Sequence, residues 1–202
     1  MTAQIYLVAP PNADARTFPE RLARVLDAAP VSALLLSRGD RTQEDYEALA
    51  SAVIPLAQAR DCAVLLDNLP DRVKALGADG VHLTGGIKAV KAAVAALRPD
   101  AIVGAADIHS RHDAMLKGEA DVDYVMFGNI DGTPDPEASA FAQWWAETFE
   151  IPVVYAPSIE DLATFLPGNI DFVALGGAVW DAPQAPEVAL KAIAERLGMV
   201  AA

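Results

Sequence analysis

Val31-Ser32-Ala33-Leu34-Leu35-Leu36 is followed, after the loop Ser37-Arg38-Gly39-Asp40-Arg41, by the stretch Thr42-Gln43-Glu44-Asp45-Tyr46 and on to Ala57. The opening six residues form a near-continuous apolar run. Strands covered on both faces look like this, and parallel sheets are built of such strands. The later stretch sets Tyr46, Leu49, Val53, Ile54 and Ala57 on one stripe at helical spacing. Thr42, with Asp45 three residues on, supplies the cap. One strand, one polar loop and one amphipathic helix make a βα unit.

The same unit recurs from end to end. Apolar runs at residues 4–8, 31–36, 62–66, 80–83, 101–104, 124–127, 152–155 and 171–175 predict eight strands. Helical stripes fall between them: Phe18, Leu22, Val25 and Leu26; Ile87, Val90, Val94 and Leu97; Phe141, Trp144, Trp145 and Phe149; Ile159, Leu162 and Leu166; Leu190, Ile193, Ala194 and Leu197. Ser158 with Asp161 is a second capping pair, and Gly77 and Gly198 stand where helices stop. Residues 71–76 and 112–117 are only weakly periodic. Eight units of about 25 residues predict a single compact α/β domain over residues 1–202, a closed (β/α)8 TIM barrel. An open doubly-wound sheet would place a G-x-G-x-x-G after the first strand, where this chain has Ala9-Pro10-Pro11-Asn12.

Composition bounds the function. The 202 residues carry 15 Lys+Arg against 28 Asp+Glu, a net charge of −13, which argues against nucleic-acid or anionic-membrane partners. No apolar run approaches a bilayer span, and the first residues lack the pattern of a signal peptide. The one cysteine, Cys62, reads as a buried small hydrophobe and fits a reducing cytoplasm.

A barrel places its chemistry at the C-terminal ends of the strands. There the sequence offers Arg38, Asp67, Asn68, His82, His109, Thr133 and the pair Gly176-Gly177. Arg38 is either an anion fork or a surface partner of Asp40. His82 faces either the lumen or a helix, as a ligand contact or as a hydrogen-bonded packing residue. His109 lies nearer the strand end than His112 and is the better site candidate; no further ligand accompanies the two as a metal pair. Gly176-Gly177 either bares backbone N–H groups to a phosphate or simply makes a tight turn. Of Trp144 and Trp145, one ring is expected to pack inward and the other to mark a face that allows a homodimer.

Gly77-Ala78-Asp79-Gly80-Val81-His82-Leu83, with Asp123-Tyr124-Val125-Met126-Phe127-Gly128 and Ile151-Pro152-Val153-Val154, resembles the thiamine phosphate synthase/TenI family over nearly the whole chain. The resemblance implies a barrel that takes small phosphorylated heterocycles. In that family the synthase joins an aminopyrimidine diphosphate to thiazole phosphate and releases pyrophosphate held by Mg²⁺. The TenI branch is similar to a metal-free thiazole tautomerase with a histidine acid/base.

His109-Ser110 falls where the family has its His-Ser, which makes His109 the implied catalytic group. Arg38 is kept. Elsewhere the chain departs: Asp40 stands for a lysine, and Asn68 and Ile87 stand for the two magnesium carboxylates. Thr133-Pro134-Asp135-Pro136 replaces Thr-x-Thr-Lys, and Pro157-Ser158-Ile159 replaces a phosphate-cradling Gly-Gly-Ile. Three functions are consistent with this: the synthase, a TenI-like tautomerase, and a catalytically silent barrel that binds a thiamine-pathway phosphate or a partner.

Overall fold

The computed structural model describes residues 3–199. Eight parallel strands close into a barrel in chain order: β1 (Gln4–Val8), β2 (Ala33–Leu36), β3 (Ala63–Asp67), β4 (Gly80–Leu83), β5 (Ile102–Ala105), β6 (Tyr124–Gly128), β7 (Val153–Ala156) and β8 (Phe172–Leu175). β8 pairs back onto β1, with Gln4 beside Phe172 and Tyr6 beside Ala174. Around them run α1 (Phe18–Ala28), α2 (Gln43–Gln58), α3 (Val73–Leu76), α4 (Ile87–Leu97), α5 (Arg111–Gly118), α6 (Ala138–Thr148), α7 (Ile159–Thr164), α8 (Gly177–Trp180) and α9 (Pro186–Arg196). Among the described residues no helix is long and apolar enough to cross a membrane.

The apolar runs are continuous because both faces of every strand are buried. Tyr6, Val8, Leu35, Leu65, Met126 and Val154 fill the lumen, while Ile5, Leu7, Leu34, Leu36 and Val64 join the layer between strands and helices. Cys62 belongs to that outer layer and is buried, which pushes its thiol up to about 12. Thr42 and Ser158 cap as the spacing predicts, accepting from the backbone N–H of Asp45 and Asp161. The weakly periodic stretches differ from one another: 71–76 yields a 3₁₀ turn and the four-residue α3, whereas α5 is a regular two-turn helix capped by Ser110.

At the N-terminal end of the barrel three aspartates act alike. Asp79, Asp123 and Asp171 each precede a strand and accept the backbone N–H of Val64, Val103 and Val153 on the strand before. The carboxylates satisfy orphan donors at strand starts, so this end of the barrel is built for stability.

Candidate active site at the barrel mouth

The C-terminal ends of the strands open into a cavity of about 1200 Å³, walled by the loops after β1, β2, β6 and β8. Asp14, Asp40, Asp45, Asp131 and Asp181 line it against two cations, Arg16 and Arg41. Three of these carboxylates are turned to their own loops. Asp14 accepts from the backbone of Arg16 and Thr17, Asp45 from Thr42, and Asp131 from Thr133.

Within the lumen the structure assigns His82 to the inner face of β4, fully buried. Its Nδ1 lies 2.8 Å from the Tyr124 hydroxyl and 3.3 Å from that of Tyr6, and the two hydroxyls are 2.9 Å apart. His82 Nε2 has no partner among the described residues. Burial pushes the imidazole down to about 4 and raises both phenols. The ring is therefore neutral at pH 7. Space for Tyr124 comes from Gly104, where a Cβ would sit 1.9 Å from the tyrosine Cζ.

Asp67 and Asn68 end β3. Asp67 Oδ2 accepts the backbone N–H of Arg38, and Oδ1 accepts the Asn68 amide at 2.7 Å. Asn68, at φ +56°, also donates to Thr84 Oγ1 and accepts the Thr84 backbone N–H. The Arg38 guanidinium forms no ion pair with Asp40 among the described residues.

These residues do not fit a magnesium ion. Both ends of the Asn68 amide are committed to closing the β3 and β4 ends together. Ile87 offers no oxygen and packs against the outer core. No three His, Cys, Asp or Glu side chains among the described residues converge as a metal site, and a hard cation demands several oxygen ligands.

His109 lies on the β5–α5 loop, its side chain 79% exposed, with Nε2 2.9 Å from Asp107 Oδ1. The loop is held from below by Lys117. That buried ammonium donates to the carbonyls of Ala106 and Asp107 and meets Asp113 Oδ2 at 3.0 Å. Lys117→Met strands two carbonyls and is expected to cost about 2–3 kcal/mol in urea unfolding at pH 7. A loss below about 0.5 kcal/mol would remove Lys117 from this role.

Thr133 is exposed and its hydroxyl is spent on Asp131. Gly176 and Gly177 lie on the cavity wall where β8 passes into α8. A Cβ at Gly176 would meet the Ile130 carbonyl at 3.2 Å.

The mouth thus gathers Gly176 and Gly177 on the cavity wall, with Arg38, Asp67 and Asn68 linked at the ends of β2 and β3. His82 lies below it and His109 on its own loop. Sequence reasoning passed over Tyr6, Tyr124, Arg16, Arg41 and Lys117. The two tyrosines carried a signal: each holds a lumen position in an apolar strand and ends in a hydroxyl that needs a partner. The cations carried none: Arg41 and Lys117, which bind backbone carbonyls, and Arg16, which lines the cavity, read in the sequence like cations in solvent.

Trp145 is buried and donates to the Ile151 carbonyl. Trp144 is half-buried, with the Arg111 guanidinium 4.8 Å from its ring.

Residues 5–179 match the thiamine monophosphate synthase (TMP-TENI) family. A thiamine-phosphate synthase of Rhodospirillum centenum is 36% identical over 194 residues, covering 93% of this chain and 94% of that one. Its counterpart in Hyphomonas neptunium is 34% identical, covering 94% and 91%. Among solved structures, a thiamine phosphate pyrophosphorylase from Pyrococcus furiosus superposes with a TM-score of 0.81 at 19% identity, covering 98% of this chain and 97% of that one. A Streptococcus mutans protein titled KGPDC reaches 0.75 at 14%, covering 98% and 99%, so the barrel alone does not name a reaction. The extent of the family match, together with relatives above 30% identity along nearly the full chain, decides it: the chain belongs to the thiamine monophosphate synthase family of thiamine biosynthesis.

Proposed function

We propose that the chain joins an aminopyrimidine diphosphate to thiazole phosphate in the mouth cavity, forming thiamine phosphate and releasing pyrophosphate. The observation that carries this reading is the cavity itself: about 1200 Å³ at the C-terminal ends of the strands, large enough for two small heterocycles side by side. The thiazole nitrogen forms the new bond to the pyrimidine methylene carbon. The bond from that carbon to diphosphate breaks, and its electron pair leaves with pyrophosphate.

Gly176 and Gly177 offer backbone N–H groups to a phosphate, Arg16 on the cavity wall supplies a cation to it, and Arg38 at the end of β2 is held beside Asp67. Asp67 and Asn68 hold the ends of β2, β3 and β4 in register. His82 closes the floor as a neutral ring, and Thr133 shapes the β6 loop through Asp131. His109, backed by Asp107, is the group we assign to giving a proton to the pyrophosphate once it has left, since the bond exchange itself moves none. No step is routed through Mg²⁺, because the residues at the family's metal position do not fit it. We place the activity in the cytoplasm on the cysteine ground given above, and a homodimer through the Trp144 face is compatible with it.

The test is turnover of the purified protein on the two substrates, with and without EDTA. Thiamine phosphate formed equally in both supports the reading. Product that EDTA abolishes leaves the coupling intact and shows a cation bound through other ligands. Absence of product under both conditions overturns the synthase reading.

A further inference from the structure

The geometry points to Arg41 as a positioning residue that builds the binding wall of the mouth without touching the ligand itself. This inference rests on the cavity being the binding site. Arg41 lies half-buried between the β1–α1 and β2–α2 loops and binds four main-chain carbonyls. Nε donates to Ala13 at 2.8 Å, Nη1 to Ser37 and Arg38 at 2.9 and 2.8 Å, and Nη2 to Pro10 at 3.2 Å. Two of those carbonyls belong to the first loop and two to the second. One planar fork therefore fixes the distance between them, which no single-point donor could do.

A second observation shows that the two loops are fitted to each other. Gly39 holds φ +55° so closely against the first loop that a Cβ would lie 2.5 Å from the Pro11 carbonyl oxygen. Both loops line the cavity, from Pro10 to Arg16 on one side and with Ser37, Gly39 and Asp40 on the other. Arg41 is one of the cavity's two cations, and four of its five N–H donors are committed to backbone. Arg16 is left as the cation available to an anionic ligand. Pinning two loops before the ligand arrives removes the ordering cost of binding, and a wall displaced by about 1 Å loses much of that gain.

The experiment compares wild type with Arg41→Ala and Arg41→Lys by amide hydrogen exchange of the free protein and by calorimetric titration with thiazole phosphate. In Arg41→Ala, exchange across residues 9–16 and 37–41 is expected to quicken together by at least about tenfold, with the strands unchanged. The dissociation constant rises by about tenfold, and methylguanidinium in the buffer recovers part of that loss. Where turnover is measurable, KM rises more than kcat. Arg41→Lys keeps the charge, loses the fork and is expected to resemble Arg41→Ala.

Protection unchanged in both loops overturns the inference. So does Arg41→Lys binding like wild type, which would make charge alone sufficient. If Arg41→Ala fails to fold, Arg41→Lys carries the test. Wild type that binds thiazole phosphate without coupling it overturns the synthase reading and leaves Arg41 standing. Wild type that shows no binding overturns the role of Arg41 in positioning the site.

Discussion

Gly80→Ala is expected to destabilise the barrel by about 3 kcal/mol or more, a drop in melting temperature of roughly 6–12 °C for a chain of this length. Gly80 opens β4 opposite Ile102 of β5. An added Cβ would lie 2.2 Å from the Ile102 carbonyl oxygen and 2.8 Å from its carbon. Those are backbone atoms, so no rotamer change relieves the contact, and the two strands must part where their hydrogen bonds form. Gly77, three residues earlier, is the internal control. It holds φ +72° at the end of α3 with open space around it, so Gly77→Ala meets only the left-handed backbone penalty of about 1 kcal/mol. Chemical denaturation of both variants decides the matter. Equal losses would mean that the close approach of β4 and β5 does not constrain position 80.

Acidification gives the second large effect. His82 is held neutral in the folded chain at about 4, against 6.5 when unfolded. Above pH 6.5 the ring is neutral in both states and contributes no pH dependence. Between pH 6.5 and about 4 the unfolded chain binds a proton that the folded chain refuses. Stability therefore falls as pH falls, by about 1.4 kcal/mol per unit and on the order of 3 kcal/mol in all. Below pH 4 the penalty is complete. The groups facing the ring are the hydroxyls of Tyr6 and Tyr124, whose titration burial moves further up, and Asp67, paired with His82 across β3 and β4. His82→Asn keeps an acceptor for Tyr124 and cannot titrate in this range. Its stability difference from wild type should hold down to about pH 6.5 and then shrink steadily to pH 4. Parallel curves for the two proteins would show that His82 takes its proton while still folded.

The heptapeptide at 77–83 was the most legible stretch of the sequence, and its residues prove to be mostly architectural. Gly77 stops a helix, Asp79 satisfies the start of β3, Gly80 allows two strands to meet, and Val81 and Leu83 fill the outer layer. Only His82 reaches the lumen, where its alternatives as ligand contact or packing residue are met by two tyrosine hydroxyls. The Asn68 substitution was equally visible in the sequence. The structure adds that its amide closes the β3 and β4 ends through Thr84.

The sequence by itself determined the eight βα units, the closed barrel and the helix caps at Thr42 and Ser158. Those follow from local periodicity and from the rule that strands buried on both faces are apolar throughout. The tertiary structure alone decided which polar side chains face one another. Tyr6 and His82 are 76 residues apart and Tyr6 and Tyr124 are 118, yet all three meet across the lumen. Arg41 finds Pro10 and Ala13 across 31 and 28 residues. Closure of a barrel brings strands and loops into contact without regard to their separation along the chain, and no period in the sequence encodes which side chain stands opposite which.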